Sequence, residues 1–203
     1  FKQKTAYEIR LSLVGSEMCI RDRALRIRGI VSNLLRLSQR QASEDFQIVD
    51  LAQVVDDALE LSNPSGIAGA SIRIDKRIVS PSPPIWGSAF QLQAAIIHIM
   101  NNARSAMEQA GGVLTLETSL PTAKVLQLRI TDTGKGIKPE HLPKIFDPFF
   151  TTKARWDETG MGLAVVHKII EDHGGQIRAE SQVDIGTSFF LTFPLDTGDK
   201  VLT

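Results

Sequence analysis

Four short segments carry residue types that could do chemistry together. The first is His98-Ile99-Met100-Asn101-Asn102-Ala103, where His98, Asn102 and Ser105 fall on one stripe of a helical pattern. An asparagine there can offer a neutral oxygen to a hard cation whose charge is met by a polyphosphate. An exposed helix asparagine is the plainer alternative. The second is Asp132-Thr133-Gly134-Lys135-Gly136. Asp132 shares the parity of Leu126, Leu128 and Ile130, so a continuing strand turns its carboxylate into the protein. Such a carboxylate needs donors, and the amine of a planar base is one; the glycines let main chain approach that base closely. An ordinary turn fits the same letters. The third is Lys144-Ile145-Phe146-Asp147-Pro148-Phe149-Phe150-Thr151-Thr152-Lys153, in which aromatic rings precede hydroxyls and a lysine that could reach phosphate. An aromatic plug beneath a loop is equally compatible. The fourth is Thr159-Gly160-Met161-Gly162-Leu163-Ala164, a glycine-rich turn running into a helix, where free N–H groups can meet phosphate.

The surrounding patterns supply elements to hold these segments. Residues 24–41 place Ile27, Ile30, Val31, Leu34 and Leu35 at helical spacing, an apolar stripe that needs a partner helix. Residues 46–49 read as a short strand. Asp50 with Gln53, and Ser88 with Gln91, are expected capping boxes that open two helices, the second reaching about residue 108. Residues 71–78, 113–118 and 125–132 read as strands, and 162–173 as a third helix closed by Gly174-Gly175. Residues 176–181 and 187–193 read as a terminal hairpin. This mix predicts an α+β fold: a two-layer sandwich with one mixed, mostly antiparallel sheet and helices on one face.

Bulk properties narrow the class. The 203 residues suit one domain with an extension, and zero net charge argues against nucleic acid or an anionic membrane surface. No apolar run approaches the ~20 residues of a membrane helix. The single cysteine, Cys19, excludes an internal disulfide framework. Residues 2–9 resemble a translated sequencing-library adapter and 13–23 a translated transposase end, so residues 1–23 are expected to be non-native. That segment contains Cys19 and the only tyrosine, Tyr7.

Taken in order, the four segments resemble the N, G1, F and G2 boxes of sensor histidine kinases, with DPFFTTK, TGMGLAVV and the following HGG as the most specific pieces. The resemblance covers residues 24–195. It implies the ATP-binding fold shared with heat-shock chaperone, mismatch-repair and type II topoisomerase ATPases. It implies ATP as substrate and Mg2+ as cofactor, with Asn102 as the magnesium ligand and Asp132 on adenine. Gly134, Gly136 and Ile137 would shape the base pocket, beside Phe149 and Thr187. Lys153, Thr159, Gly160, Met161, Gly162 and Leu163 would line the phosphates, with residues 151–159 as a short lid. His98 and Lys153 are the catalytic candidates. For His98, polarising a water, joining the magnesium shell and a structural role stay open.

The same resemblance assigns residues 24–44 to the second helix of a dimerising hairpin, 45–197 to the catalytic domain and 198–203 to a tail. It implies a cytoplasmic domain of a homodimeric parent, which can be membrane-anchored, and a response-regulator receiver domain as partner. Glu158 stands where a lid glycine is common, and Asp184 where a glycine often precedes Gly186-Thr187. None of the four histidines precedes an acidic residue, so the phospho-accepting histidine is expected on another segment. His141 reads as solvated, His167 as a core residue, and His173 as a cation at a helix C-terminus. A catalytically unproductive nucleotide-binding module, or a serine/threonine kinase or ATPase of the same fold, is the alternative.

Overall fold

The computed structural model describes residues 46–62, 71–152 and 160–196. The expected helix at 24–41, the adapter-like segment, the tail, Lys153, Glu158 and Thr159 lie outside them. In chain order the elements are β1 (Gln47–Val49), α1 (Leu51–Ser62), β2 (Ile72–Arg77), β3 (Ile85–Gly87), α2 (Ala89–Ala106), β4 (Gly112–Thr122) and β5 (Val125–Asp132). A short 3-10 turn (Leu142–Lys144), α3 (Gly162–Asp172), β6 (Gln176–Gln182) and β7 (Gly186–Pro194) complete it.

Five strands form the main sheet in the order β2-β4-β5-β7-β6. β2 pairs parallel with β4, and every other pair in this sheet is antiparallel. The expected layer arrangement is present. Leu126, Leu128 and Ile130 of β5 and Phe189, Leu191 and Phe193 of β7 are buried against Leu92, Ile96, Ile99 and Met100 of α2. Each such side chain contributes roughly 1.5–3 kcal/mol through its burial, so α2 is anchored along its length. β3 was not foreseen from sequence. It is three residues long and forms a separate two-stranded sheet with β1. β4 runs through Pro121 to Thr122, past the predicted end, with an irregular register between Ser119 and Thr122.

The caps depart from the predicted boxes in an instructive way. The Asp50 carboxylate accepts the Ala52 N–H at 2.9 Å, as a cap should. The Gln53 side chain does not return to Asp50 but donates to Asp57. Ser88 caps α2 by accepting from the Gln91 N–H. The reciprocal bond comes from elsewhere: the Ser88 N–H donates to His173 Nε2 at 3.0 Å. His173 Nδ1 lies 2.7 Å from the Ile169 carbonyl, which can only accept, so the ring is neutral with its proton on Nδ1. The expected cation at His173 is therefore corrected. The residue is buried, which lowers its pKa, and it joins the end of α3 to the start of α2. His167 is also corrected. It is half-exposed near Glu171 and the Phe146 ring, because its position on α3 turns past the core stripe of Val166 and Ile170. His141 is partly covered by the edge of Phe150.

Candidate active site

The four segments converge where α2, α3 and the ends of β5 and β7 meet. β5 delivers Asp132 on its helix-facing side, 4% exposed. Burial pushes the Asp132 carboxyl above the usual carboxylate range, and the main-chain N–H groups of Gly134 and Thr187 oppose that shift. The Gly134 bond is 2.8 Å. A carboxylate has about four acceptor positions, so these two donors leave room for a ligand's donor.

The loop after Asp132 is clamped from both sides. The Lys135 N–H donates to the Ala106 carbonyl at the end of α2, and the Asp184 N–H donates to the Lys135 carbonyl. A side chain on Gly134 would strike Ala106. Gly136 has φ +67°, and a Cβ there would overlap the Gln182 main chain. Glycine is required at Gly136 on both counts. The Ile137 N–H is held by Ser181 Oγ at 2.8 Å. Sequence reasoning did not single out Ser181. The signal available was two hydroxyl residues, Ser181 and Thr187, flanking the hairpin turn at positions that can pair across strands.

The first and fourth segments touch directly. Gly162 opens α3, and a Cβ on it would overlap the imidazole of His98. His98 stands one turn before Asn102 on α2, and both are half-buried. The glycine turn is thus seated against the helix that carries the candidate magnesium ligand. Met161 is buried and Leu163 packs against the core, so the turn has little freedom. The third segment reaches the same place through its main chain. Gly160 has φ +67°, and a Cβ there would strike the main chain of Phe149 and Phe150. Phe149 itself has φ 68°, an uncommon conformation for a non-glycine residue, and the residue is 59% exposed. Thr187 is buried and pairs with Asp132 across β5 and β7.

Asp132, Gly134, Gly136, Ile137 and Thr187 therefore form one wall. His98 and Asn102 on α2, Gly160 and Met161 in the turn before α3, and Gly162 and Leu163 at its start lie beside it. Among the described residues no cluster of three or more His, Cys, Asp or Glu could hold a metal ion by itself. Among the described residues no helix is long and apolar enough to cross a membrane.

Residues 87–197 match the family model described as histidine kinase-, DNA gyrase B- and HSP90-like ATPase. The chain is 35% identical to the sensor histidine kinase ZraS of Escherichia coli K12, over 86% of this chain and 36% of that protein. It is 30% identical to sporulation kinase E of Bacillus subtilis, over 93% of this chain and 24% of that protein. The chain thus spans about a quarter to a third of the length of these relatives. Among solved structures, full-length ShkA in complex with AMPPNP superposes with a TM-score of 0.70 at 25% identity, covering 97% of this chain and 40% of that one.

Proposed function

The chain belongs to the histidine kinase-, DNA gyrase B- and HSP90-like ATPases, as the ATP-binding catalytic domain of a sensor histidine kinase; from that premise we propose how its residues act. Asp132 accepts the exocyclic amine of adenine, at the wall formed with Thr187 and the loop of Gly134, Gly136 and Ile137. Phe149 borders the base. The glycine turn at Gly160 and Met161 and the start of α3 at Gly162 and Leu163 turn main-chain N–H groups toward the phosphates. Lys153 and Thr159 complete the phosphate side. Asn102 would hold magnesium through its amide oxygen, and the ion would supply charge neutralisation at the phosphates.

The terminal phosphoryl group passes from ATP to an imidazole nitrogen of a histidine in the parent protein, releasing ADP. A receiver-domain aspartate of a response regulator then takes it. Catalysis on this scheme is positioning plus charge neutralisation. Of the roles open to His98, its contact with Gly162 favours bracing the phosphate turn. The observation that carries the reading is the buried Asp132, held by two main-chain donors with acceptor capacity to spare.

Titration of the 203-residue chain with a fluorescent ATP analogue, with and without magnesium, tests it. Saturable binding strengthened by magnesium is expected. In Asn102→Ala the magnesium effect should vanish while magnesium-free binding remains. Absence of binding by a folded chain would retire the reading, and an unchanged magnesium effect in the variant would retire the role of Asn102.

A further inference from the structure

Asp132, Thr187 and Ser181 form one row across β5, β7 and β6, because Asp132 pairs with Thr187 and Thr187 with Ser181. Their side chains share the helix-facing side of the sheet. Ser181 Oγ lies 2.8 Å from the Ile137 nitrogen, 2.9 Å from the Gly186 carbonyl oxygen and 3.0 Å from Thr187 Oγ1.

A hydroxyl has one proton and two lone pairs. The Ile137 N–H takes one lone pair. The Gly186 carbonyl can only accept, so the Ser181 proton goes there. The Thr187 hydroxyl is left to donate into the second lone pair of Ser181. With its proton turned inward, Thr187 can offer the pocket only acceptor capacity. Asp132 beside it, as a carboxylate, is also acceptor-only. The wall then favours a base edge that donates, such as an amino group, and disfavours one that presents a carbonyl oxygen.

We propose that Ser181 is a specificity-determining residue of the nucleotide site: by fixing the direction of the Thr187 hydroxyl and pinning the loop at Ile137, it makes the wall select 6-amino over 6-oxo purines. This rests on the ATP-site reading above. It assigns base selection to a residue that need not touch the base. Removing the Ser181 hydroxyl frees the Thr187 proton to rotate toward the pocket and meet a carbonyl oxygen. Discrimination should fall, and affinity should not simply decline for all nucleotides.

The test is competition binding of ATP and GTP, each with magnesium, to the 203-residue chain and to Ser181→Ala, Ser181→Cys and Ser181→Thr. The unsubstituted chain should prefer ATP. In the Ala and Cys variants the ATP:GTP affinity ratio should fall about tenfold, the worth of one well-placed hydrogen bond. Ser181→Thr keeps the hydroxyl and suits a strand, so it should restore the ratio. A ratio unchanged in both the Ala and Cys variants overturns the proposal, whether ATP affinity falls uniformly or not at all. Should the Ala variant fail to fold, the Cys variant, nearly isosteric with serine, decides alone. Failure of the unsubstituted chain to bind ATP would instead bring down the underlying reading, and this one with it.

Discussion

Replacing Gly162 by alanine should be harmful only while His98 is present. The added methyl would sit 2.8 Å from Cδ2 of His98 and closer still to Nε2 and Cε1. Carbon atoms normally approach to about 3.5–4 Å, so the ring or the start of α3 must move by an ångström or more. Neither is free: α2 is anchored by Ile96, Ile99 and Met100, and α3 by Val166 and Ile170. Overpacking of this kind costs about 1–3 kcal/mol. Against it stands the ordinary gain of about 0.5–1 kcal/mol when alanine replaces a helical glycine. The single variant should therefore destabilise by between about zero and 2.5 kcal/mol. In the His98→Ala background the clash is gone and only the helix gain remains. The double-mutant cycle should return a coupling of about 1–3 kcal/mol, favouring the pair. Urea unfolding of the four proteins measures it, and ATP titration of the same four shows whether a displaced turn also weakens phosphate binding. A Gly162→Ala effect of the same size in both backgrounds would refute the contact as the reason glycine stands there.

Asp132→Asn should weaken ATP binding by about 1–3 kcal/mol, since it swaps a charge-assisted buried acceptor for a neutral one; calorimetric titration checks this, and unchanged affinity would remove Asp132 from the base. The same substitution should not harm the free protein at neutral pH. The folded pKa of Asp132 lies above its ordinary 3.8, so its contribution is fully favourable below that value and is lost as pH rises through the folded pKa. His173 acts in the opposite sense. Its folded pKa is below 6.5, so its contribution is complete above 6.5 and is lost as pH falls from there through the folded pKa, where the unfolded chain binds the proton first. Across that window unfolding midpoints should fall less steeply in His173→Gln than in the unsubstituted chain; parallel pH profiles would contradict the neutral bridge between Ile169 and Ser88.

Local pattern was enough for much of this protein. The parity of β5 placed Asp132 inward before any coordinates, because side chains alternate along a strand. The spacing of Leu92, Ile96 and Ile99 oriented α2, and with it the stripe of His98 and Asn102, because 3.6 residues complete a turn. Ser88 was readable as a cap. Pattern could not say who pairs with whom across distant sequence. That β2 lies parallel to β4, and that β1 and β3 pair apart from the main sheet, depend on chain reversals that leave no local period.

The same limit applies to individual side chains. His173 looks like a helix-end cation in sequence. It is neutral because α2 brings a main-chain donor to one ring nitrogen while α3 occupies the other. Ser181 looks like any strand serine until the loop at Ile137 and the turn at Gly186 close on it. Gly162 could pass for a permissive helix start, yet its missing Cβ is where a ring from α2 fits. Sequence carried the chemistry of each segment, because donor, acceptor and conformational freedom belong to the residue. Tertiary structure alone decided protonation, hydrogen-bond direction and steric necessity, because those belong to the neighbours, and the neighbours come from elsewhere in the chain.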